Sequence, residues 1–270
     1  MTLYYFMITL KTKSQVEQIK LNGQILRDAV DKAVEASRPG VSTAELDKII
    51  EQHILSCGAT PTFKGYGGAK DRPAFPKTSC ISVNSVLVHG IPSQKEKLQD
   101  GDLVSIDIGV TKNNCIADSC YSYAVGKLKP EHQKLLEAAK EITMYGISIC
   151  RPGLRIHDLS RMVAEKAESL GFINMPGLFG HGTGGPILHE KPTIPFDRPP
   201  FKEPIPNPRL EKDMVITIEP VVAFLSSKGK YIEDPDYWTL RTIDGSWSAQ
   251  FEHTILITDL GSEILTGTFK

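Results

Sequence analysis

The sequence predicts an α+β protein in which paired helices back one face of an antiparallel sheet. Three observations lead there. Two helix-like stretches are followed by β-branched runs, and that order occurs twice. The chain also repeats itself at a nearly constant spacing. Its make-up is that of an ordinary globular domain, with 270 residues, 40% hydrophobic and 23% charged. A chain of that length buries roughly three quarters of its unfolded surface and needs no staples.

The repeat sets the organisation. Arg38-Pro39-Gly40 returns as Arg151-Pro152-Gly153, Leu46 as Leu159 and Gly58 as Gly171, each 113 residues on. LQDGDLVSID at 98–107 is echoed by LEKDMVITIE at 210–219, an offset of 112 that sets Leu98 against Leu210 and Asp107 against Glu219. The expected organisation is one domain, 1–270, of two similar halves, about 1–125 and 130–270.

Each element has its own signal. Ser14-x-x-Glu17 reads as a capping box. Val16, Ile19, Leu26, Val30, Ala33 and Val34 then follow near helical period until Pro39-Gly40 stops the helix. Ser42-x-x-Glu45 opens a second helix that Gly58 closes. ISVNSVLVHGI (81–91) is two short strands around Asn84-Ser85. LVSIDIGV (103–110) and the stretch from Asp118 to Val125 read as a hairpin across Lys112-Asn113-Asn114. In the second half Pro130 starts a helix carrying Leu135, Leu136, Ala139 and Ile142, and Pro152-Gly153 ends it. Another helix runs to Gly171. The seven prolines between 192 and 208 exclude helix and central strand there, leaving an ordered loop or flap that follows the glycine-flanked histidines. YWTLRTIDGSWSAQFEHTILIT (237–258) reads as a long hairpin turning at Asp244-Gly245.

Composition excludes several roles. No apolar run approaches the roughly 18 residues of a membrane span. MTLYYFMITLKTK lacks a positive residue ahead of its apolar stretch and is a poor leader. The five cysteines, odd in number and without CxxC spacing, read as reduced thiols in a cytoplasmic protein. A net charge of −1 gives no footprint for nucleic acid.

Four acids stand in apolar surroundings. Asp107 lies between Ile106 and Ile108, Asp118 across the turn, Glu219 in ITIEP and Glu252 in SAQFEHTILIT. Strand interiors disfavour such residues, and a buried carboxylate requires a partner. With Lys112-Asn113 as the turn, Asp107 and Asp118 fall directly opposite each other, where like charges repel and one pKa rises. A bound cation reverses that penalty. Buried Arg or Lys partners are the competing explanation, but the strands supply only Arg241 nearby. Among seven histidines, His53, His132 and His157 fall in helical stretches and are expected to be solvated; His253 faces away from Glu252. His89 ends a strand in LVHGIP, and His181 and His189 lie in GHGTGGPILHEKP, whose glycines admit a ligand close to backbone. Four carboxylates with an imidazole suit two divalent ions of Fe, Mn, Co or Zn rather than a structural zinc. A pair of ions about 3.5–4 Å apart activates water and polarises a carbonyl.

At these residues the sequence resembles the type I methionine aminopeptidases, which have the pita-bread (creatinase/aminopeptidase) fold. The resemblance runs from about Ile8 to Leu265 and rests on CISVNSVLVHGIP, the Asp107/Asp118 spacing, GHGTGG, ITIEP and SAQFEHT in that order. It implies a pseudo-two-fold pair of halves and a metallo-exopeptidase that removes the initiator methionine from nascent chains with a small second residue. It implies Asp107, Asp118, His181, Glu219 and Glu252 as ligands of two divalent ions, with Asp118 and Glu252 bridging. It further implies His89 as a substrate contact near the scissile bond, His189 as donor to the scissile carbonyl, and Glu219 as carrier of the proton to the leaving amine. Phe75, Cys80 and Trp238 match the lining of the methionine pocket.

The chain departs from the family pattern in four places. His181 and His189 are eight residues apart where seven is usual, with Pro186 the candidate extra residue. KGYGGAKDRPAFPK (64–77) is longer than usual and leaves Tyr66 unassigned; the segment 192–208 also looks longer; and Ala117 stands where glycine is usual. The expected partners are N-terminal Met peptides and nascent chains acting on a monomer, with the ribosome a candidate that no basic patch supports. Two alternatives remain. An X-Pro aminopeptidase or prolidase shares the five ligands but usually carries an extra N-terminal domain, and only about 13 residues precede the first helix here. A metal-free binding module of the same fold would be expected to lose a ligand.

Overall fold

The computed structural model describes residues 8–267; the first seven residues, which begin the stretch weighed above as a leader, lie outside them. The first half holds α1 (Lys13–Ala36), α2 (Thr43–Ser56), β1 (Thr60–Pro61), β2 (Gly67–Ala69), β3 (Arg72–Ala74), β4 (Ser79–Val83), β5 (Val86–Val88), β6 (Leu103–Lys112) and β7 (Cys115–Ala124). The second holds α3 (Pro130–Ile149), α4 (Ile156–Ser169), β8 (Phe172–Asn174), β9 (Phe179–Gly182), β10 (Glu190–Pro195), β11 (Val215–Ile218), β12 (Val221–Phe224), β13 (Tyr231–Glu233), β14 (Leu240–Thr242), β15 (Ser248–Gln250), β16 (His253–Ile257) and β17 (Ser262–Ile264). The strands pair antiparallel throughout, in several small sheets rather than one.

Each helix pair covers its own apolar layer. Ile19, Leu26 and Val30 of α1 and Leu46, Ile50 and Ile54 of α2 close over Ile81, Ile106 and Ile108 of β4 and β6. Leu135 and Ile142 of α3 and Leu159 and Val163 of α4 close over Ile216, Ile218 and Ile255 of β11 and β16. Each such fully buried side chain contributes about 1.5–3 kcal/mol relative to exposure.

The sequence echo has a structural counterpart. Gly40 N donates to Leu98 O (2.8 Å) and Leu98 N to Val41 O (2.9 Å); Gly153 N donates to Leu210 O and Leu210 N to Leu154 O, both 2.8 Å. In both halves the turn before the second helix is thus tied to the segment leading into a site strand. Gly40 and Gly153 have φ of +92° and +86°, which explains why Pro-Gly recurs there.

Several expectations need correction. α1 opens two residues earlier than Ser14-x-x-Glu17 implies: Thr12 and Gln15 form the capping box, because a backbone bond from Lys11 N to Asp213 O holds the chain just before Thr12. Residues 237–258 are not one hairpin. β14 pairs with β13 and β5, β15 with β12, and β16 with β11 and β17. The chain changes sheet at Asp244-Gly245 and again at Phe251-Glu252, a choice of partner strands that local pattern does not encode. The proline-rich segment does contain a strand, β10, but at the edge of its sheet, where Pro192 and Pro195 leave no inner ladder bond unmade. His53, His132 and His157 are half-buried rather than solvated: His53 meets the Cys57 thiol, His132 stacks on Trp247 (3.5 Å between ring centres), and His157 Nε2 donates to Ile205 O (3.0 Å). All five cysteines are free. Among the described residues no helix is long and apolar enough to cross a membrane.

Candidate metal centre and substrate cavity

Strand register sets the first two carboxylates. The β6–β7 hairpin pairs Lys112 with Cys115, so its two-residue turn is Asn113-Asn114, one residue later than expected. Both asparagines have positive φ, 52° and 57°, as this tight turn requires. Asp107 therefore faces Cys120, and Asp118 faces Gly109. The two acids are diagonal neighbours on one face, not directly opposite. Cys80 of β4 sits beside Asp107 on that face.

The second pair comes from the other half, and both members lie at breaks between strands rather than inside them. Glu219 follows β11, and Glu252 lies between β15 and β16. Bonds between the halves bring them in. Thr254 Oγ1 donates to Asp118 O (2.7 Å) and accepts from Asp118 N (3.1 Å), Glu252 N donates to Cys120 O (2.9 Å), and Ser119 Oγ donates to Glu252 O. Thr217 Oγ1 accepts from His181 N (2.9 Å) and donates to Glu219 Oε1 (2.6 Å), joining β9 to β11. Gln250 Nε2 donates to the other Glu219 oxygen (3.4 Å).

The result is one donor cluster. Single ligand atoms of Asp118, His181 and Glu252 lie within 4.8 Å of one another. His181 Nε2 is 3.7 Å from Asp118 Oδ2 and 3.5 Å from Glu219 Oε1. Asp107 and Glu219 line the same cavity. His181 Nδ1 lies 3.0 Å from Gly182 O. A carbonyl only accepts, so Nδ1 carries the hydrogen and Nε2 turns its lone pair toward the carboxylates, the state of a metal-binding imidazole.

The electrostatics suit a bound cation. Burial pushes the Asp107 carboxyl up to about 7 and that of Glu219 up to about 8. Burial, with the neighbouring carboxylates, raises Asp118 and Glu252. Among the described residues no Lys or Arg pairs with any of the four; Arg241 is taken by Asp234. Asp107 Oδ1, Asp118 Oδ1 and Glu252 Oε1 are buried and accept no hydrogen bond. Orphaned carboxylate oxygens converging on a lone-pair imidazole fit a divalent metal. Burial holds His181 at about 3 and His89 and His189 at about 4, so all three are neutral near pH 7.

A cavity of about 550 Å³ opens beside the cluster. One wall is apolar: Phe75, Cys80 and Trp238 pack with Phe63, Ile116 and Leu188, and Phe75 meets Trp238 edge-on at 5.3 Å between ring centres. His89 and His189 also line the cavity, and the His189 and His181 rings are 4.4 Å apart. The eight-residue spacing is absorbed in the loop between them, where Gly184 takes a φ of +94°.

Sequence reasoning missed five contributors. Tyr66, left unassigned, touches His189. Thr217 and Gln250 hold Glu219; Thr217 was legible as the strand residue two before an acid. Lys11 and Glu190 form a buried ion pair at the cavity wall (2.5 Å), and Gly185 N donates to Glu190 (3.0 Å), fastening the loop that carries His189. No local signal links residues so far apart in sequence.

The model of metallopeptidase family M24 matches residues 17–259. The chain is 40% identical over 261 residues to methionine aminopeptidase 1 of Bacillus subtilis, covering 96% of this chain and 99% of that protein. Among solved structures it resembles methionine aminopeptidase from Thermotoga maritima, with a TM-score of 0.89, 34% identity and coverage of 97% and 100%. It also resembles prolidase from Pyrococcus furiosus at a TM-score of 0.74 and 26% identity, covering 97% of this chain but 66% of that one.

Proposed function

The chain belongs to metallopeptidase family M24, and from that membership we propose the residue assignment by which it acts as a methionine aminopeptidase, a metal-dependent hydrolase removing N-terminal methionine. The observation that carries the assignment is the set of buried, unpartnered carboxylate oxygens converging on His181 beside an apolar pocket.

Asp107, Asp118, His181, Glu219 and Glu252 would hold the two divalent ions. Bound there, the metal supplies Lewis acidity toward the scissile carbonyl and the attacking water. Glu219, aimed by Thr217 and Gln250, carries a proton from that water to the leaving amine. His89 and His189, neutral by burial, serve as hydrogen-bond partners at the scissile bond; His189 donates to the oxygen as it gains charge. Phe75, Cys80 and Trp238 hold the methionine side chain, whose sulfur suits aromatic edges.

Substrates are peptides and nascent chains with a small second residue. The enzyme works as a cytoplasmic monomer, and the ribosome is the place where such nascent chains are met. The recurring Gly40–Leu98 and Gly153–Leu210 bonds support one domain of two related halves. The test is a peptide panel with the Mn- or Co-loaded enzyme. Release of Met from Met-Ala-Ser with X-Pro dipeptides intact is expected. Efficient X-Pro cleavage would favour the prolidase reading, and turnover surviving Glu252→Ala would remove the metal assignment.

A further inference from the structure

His181 and His189 stand side by side but anchor their Nδ1 atoms on opposite kinds of partner. His181 Nδ1 donates to a carbonyl, which leaves its Nε2 as a lone pair. His189 Nδ1 instead lies 2.5 Å from the Tyr66 hydroxyl. A phenol is a better donor than a neutral imidazole N–H, and an imidazole nitrogen a better acceptor than a phenol oxygen. The hydrogen therefore sits on Tyr66, Nδ1 accepts it, and the ring keeps its own hydrogen at Nε2. We infer that Tyr66 is a positioning residue whose hydroxyl holds His189 as the Nε2–H tautomer, making the ring a donor in the cavity rather than a further metal ligand. The inference rests on the reading that His189 donates to the scissile carbonyl.

The backbone shows why Tyr66 stays in place despite the long segment after it. Tyr66 N donates to Phe63 O (2.9 Å), Phe75 N to Tyr66 O (2.9 Å) and Gly65 N to Phe75 O (2.8 Å). Tyr66 and Phe75 are thus paired as neighbours, and the residues between them loop outward as the β2–β3 hairpin. The extra length leaves the cavity at its neck, while Tyr66 meets His189 edge-on with 5.1 Å between ring centres. Without the hydroxyl, the Nε2 lone-pair tautomer becomes available to a ring lying 4.4 Å from His181.

The test is Tyr66→Phe, which keeps the ring contact and removes the hydroxyl that meets Nδ1. In the full-length metal-loaded enzyme kcat on Met-Ala-Ser should fall about 3- to 10-fold, the worth of one exposed hydrogen bond, with KM changed less than about twofold. The decisive readout is ¹⁵N histidine NMR of the Zn²⁺-loaded protein, with His189 assigned by comparison with His189→Gln. The native protein should show Nδ1 unprotonated and Nε2 protonated, and Tyr66→Phe should show both tautomers. A protonated Nδ1 in the native protein, or a variant with unchanged spectrum and kcat, overturns the inference. A His189→Ala enzyme at native kcat would instead overturn the catalytic reading of His189, and the spectrum would still decide the tautomer.

Discussion

Replacing Glu252 by glutamine should raise stability without metal and lose that advantage when metal is present. An oxygen of Glu252 lies within 4.8 Å of one from Asp118, and two unit charges at that distance repel by about 3.5 kcal/mol at an effective dielectric constant of about 20. Protonation of one partner limits what the folded chain bears, so Glu252→Gln should relieve on the order of 2–3 kcal/mol near pH 7. In chelator-treated protein that is a rise in Tm of about 5–10 °C. With saturating Mn²⁺ the native chain should gain about 3 kcal/mol at a hundredfold excess over Kd, whereas the variant, lacking a ligand, should gain little. The pH dependence has a definite sign. Folded values of about 7 for Asp107 and about 8 for Glu219 lie above unfolded carboxylate values. The unfolded chain therefore releases these protons first, and metal-free stability falls as pH rises from about 4 to about 8. The advantage of the variant should grow across the same window. Thermal unfolding at a series of pH values, with chelator and with Mn²⁺, measures all of this. A variant less stable than native in chelator, with its metal increment intact, would refute the crowded-acid account.

Other perturbations probe the frame around the cluster. Lys11→Met leaves Glu190 buried without its charge partner and should cost about 3–5 kcal/mol in urea unfolding, much of it restored in Lys11→Met/Glu190→Gln. A Cβ at Gly90 would lie 2.3 Å from Ile81 O, so Gly90→Ala should destabilise by about 1–3 kcal/mol and lower turnover by displacing His89. Trp238→Ala removes the aromatic wall of the pocket and should raise KM for Met-Ala-Ser at least about tenfold, read by steady-state kinetics.

The four acids were legible because burying charge is anomalous: Asp107, Asp118, Glu219 and Glu252 interrupt apolar runs, and no helical or turn role accounts for them. The helix pairs were legible because periodicity, capping residues and Pro-Gly stops are local. Register was less so. Lys112-Asn113 and Asn113-Asn114 are both polar turn candidates, and only the positive φ of both asparagines separates them. One residue of difference moved Asp118 from opposite Asp107 to the diagonal position.

Residue chemistry along the chain settled which groups must seek a cation and which stretches must be helix or strand, since propensity and the cost of burial act within a few residues. Packing settled the rest. The switch of partner strands near Glu252, the Lys11–Glu190 pair and the opposite Nδ1 partners of His181 and His189 arise from contacts between segments far apart in sequence. Such contacts depend on where whole elements dock, and no window of neighbouring residues carries that information.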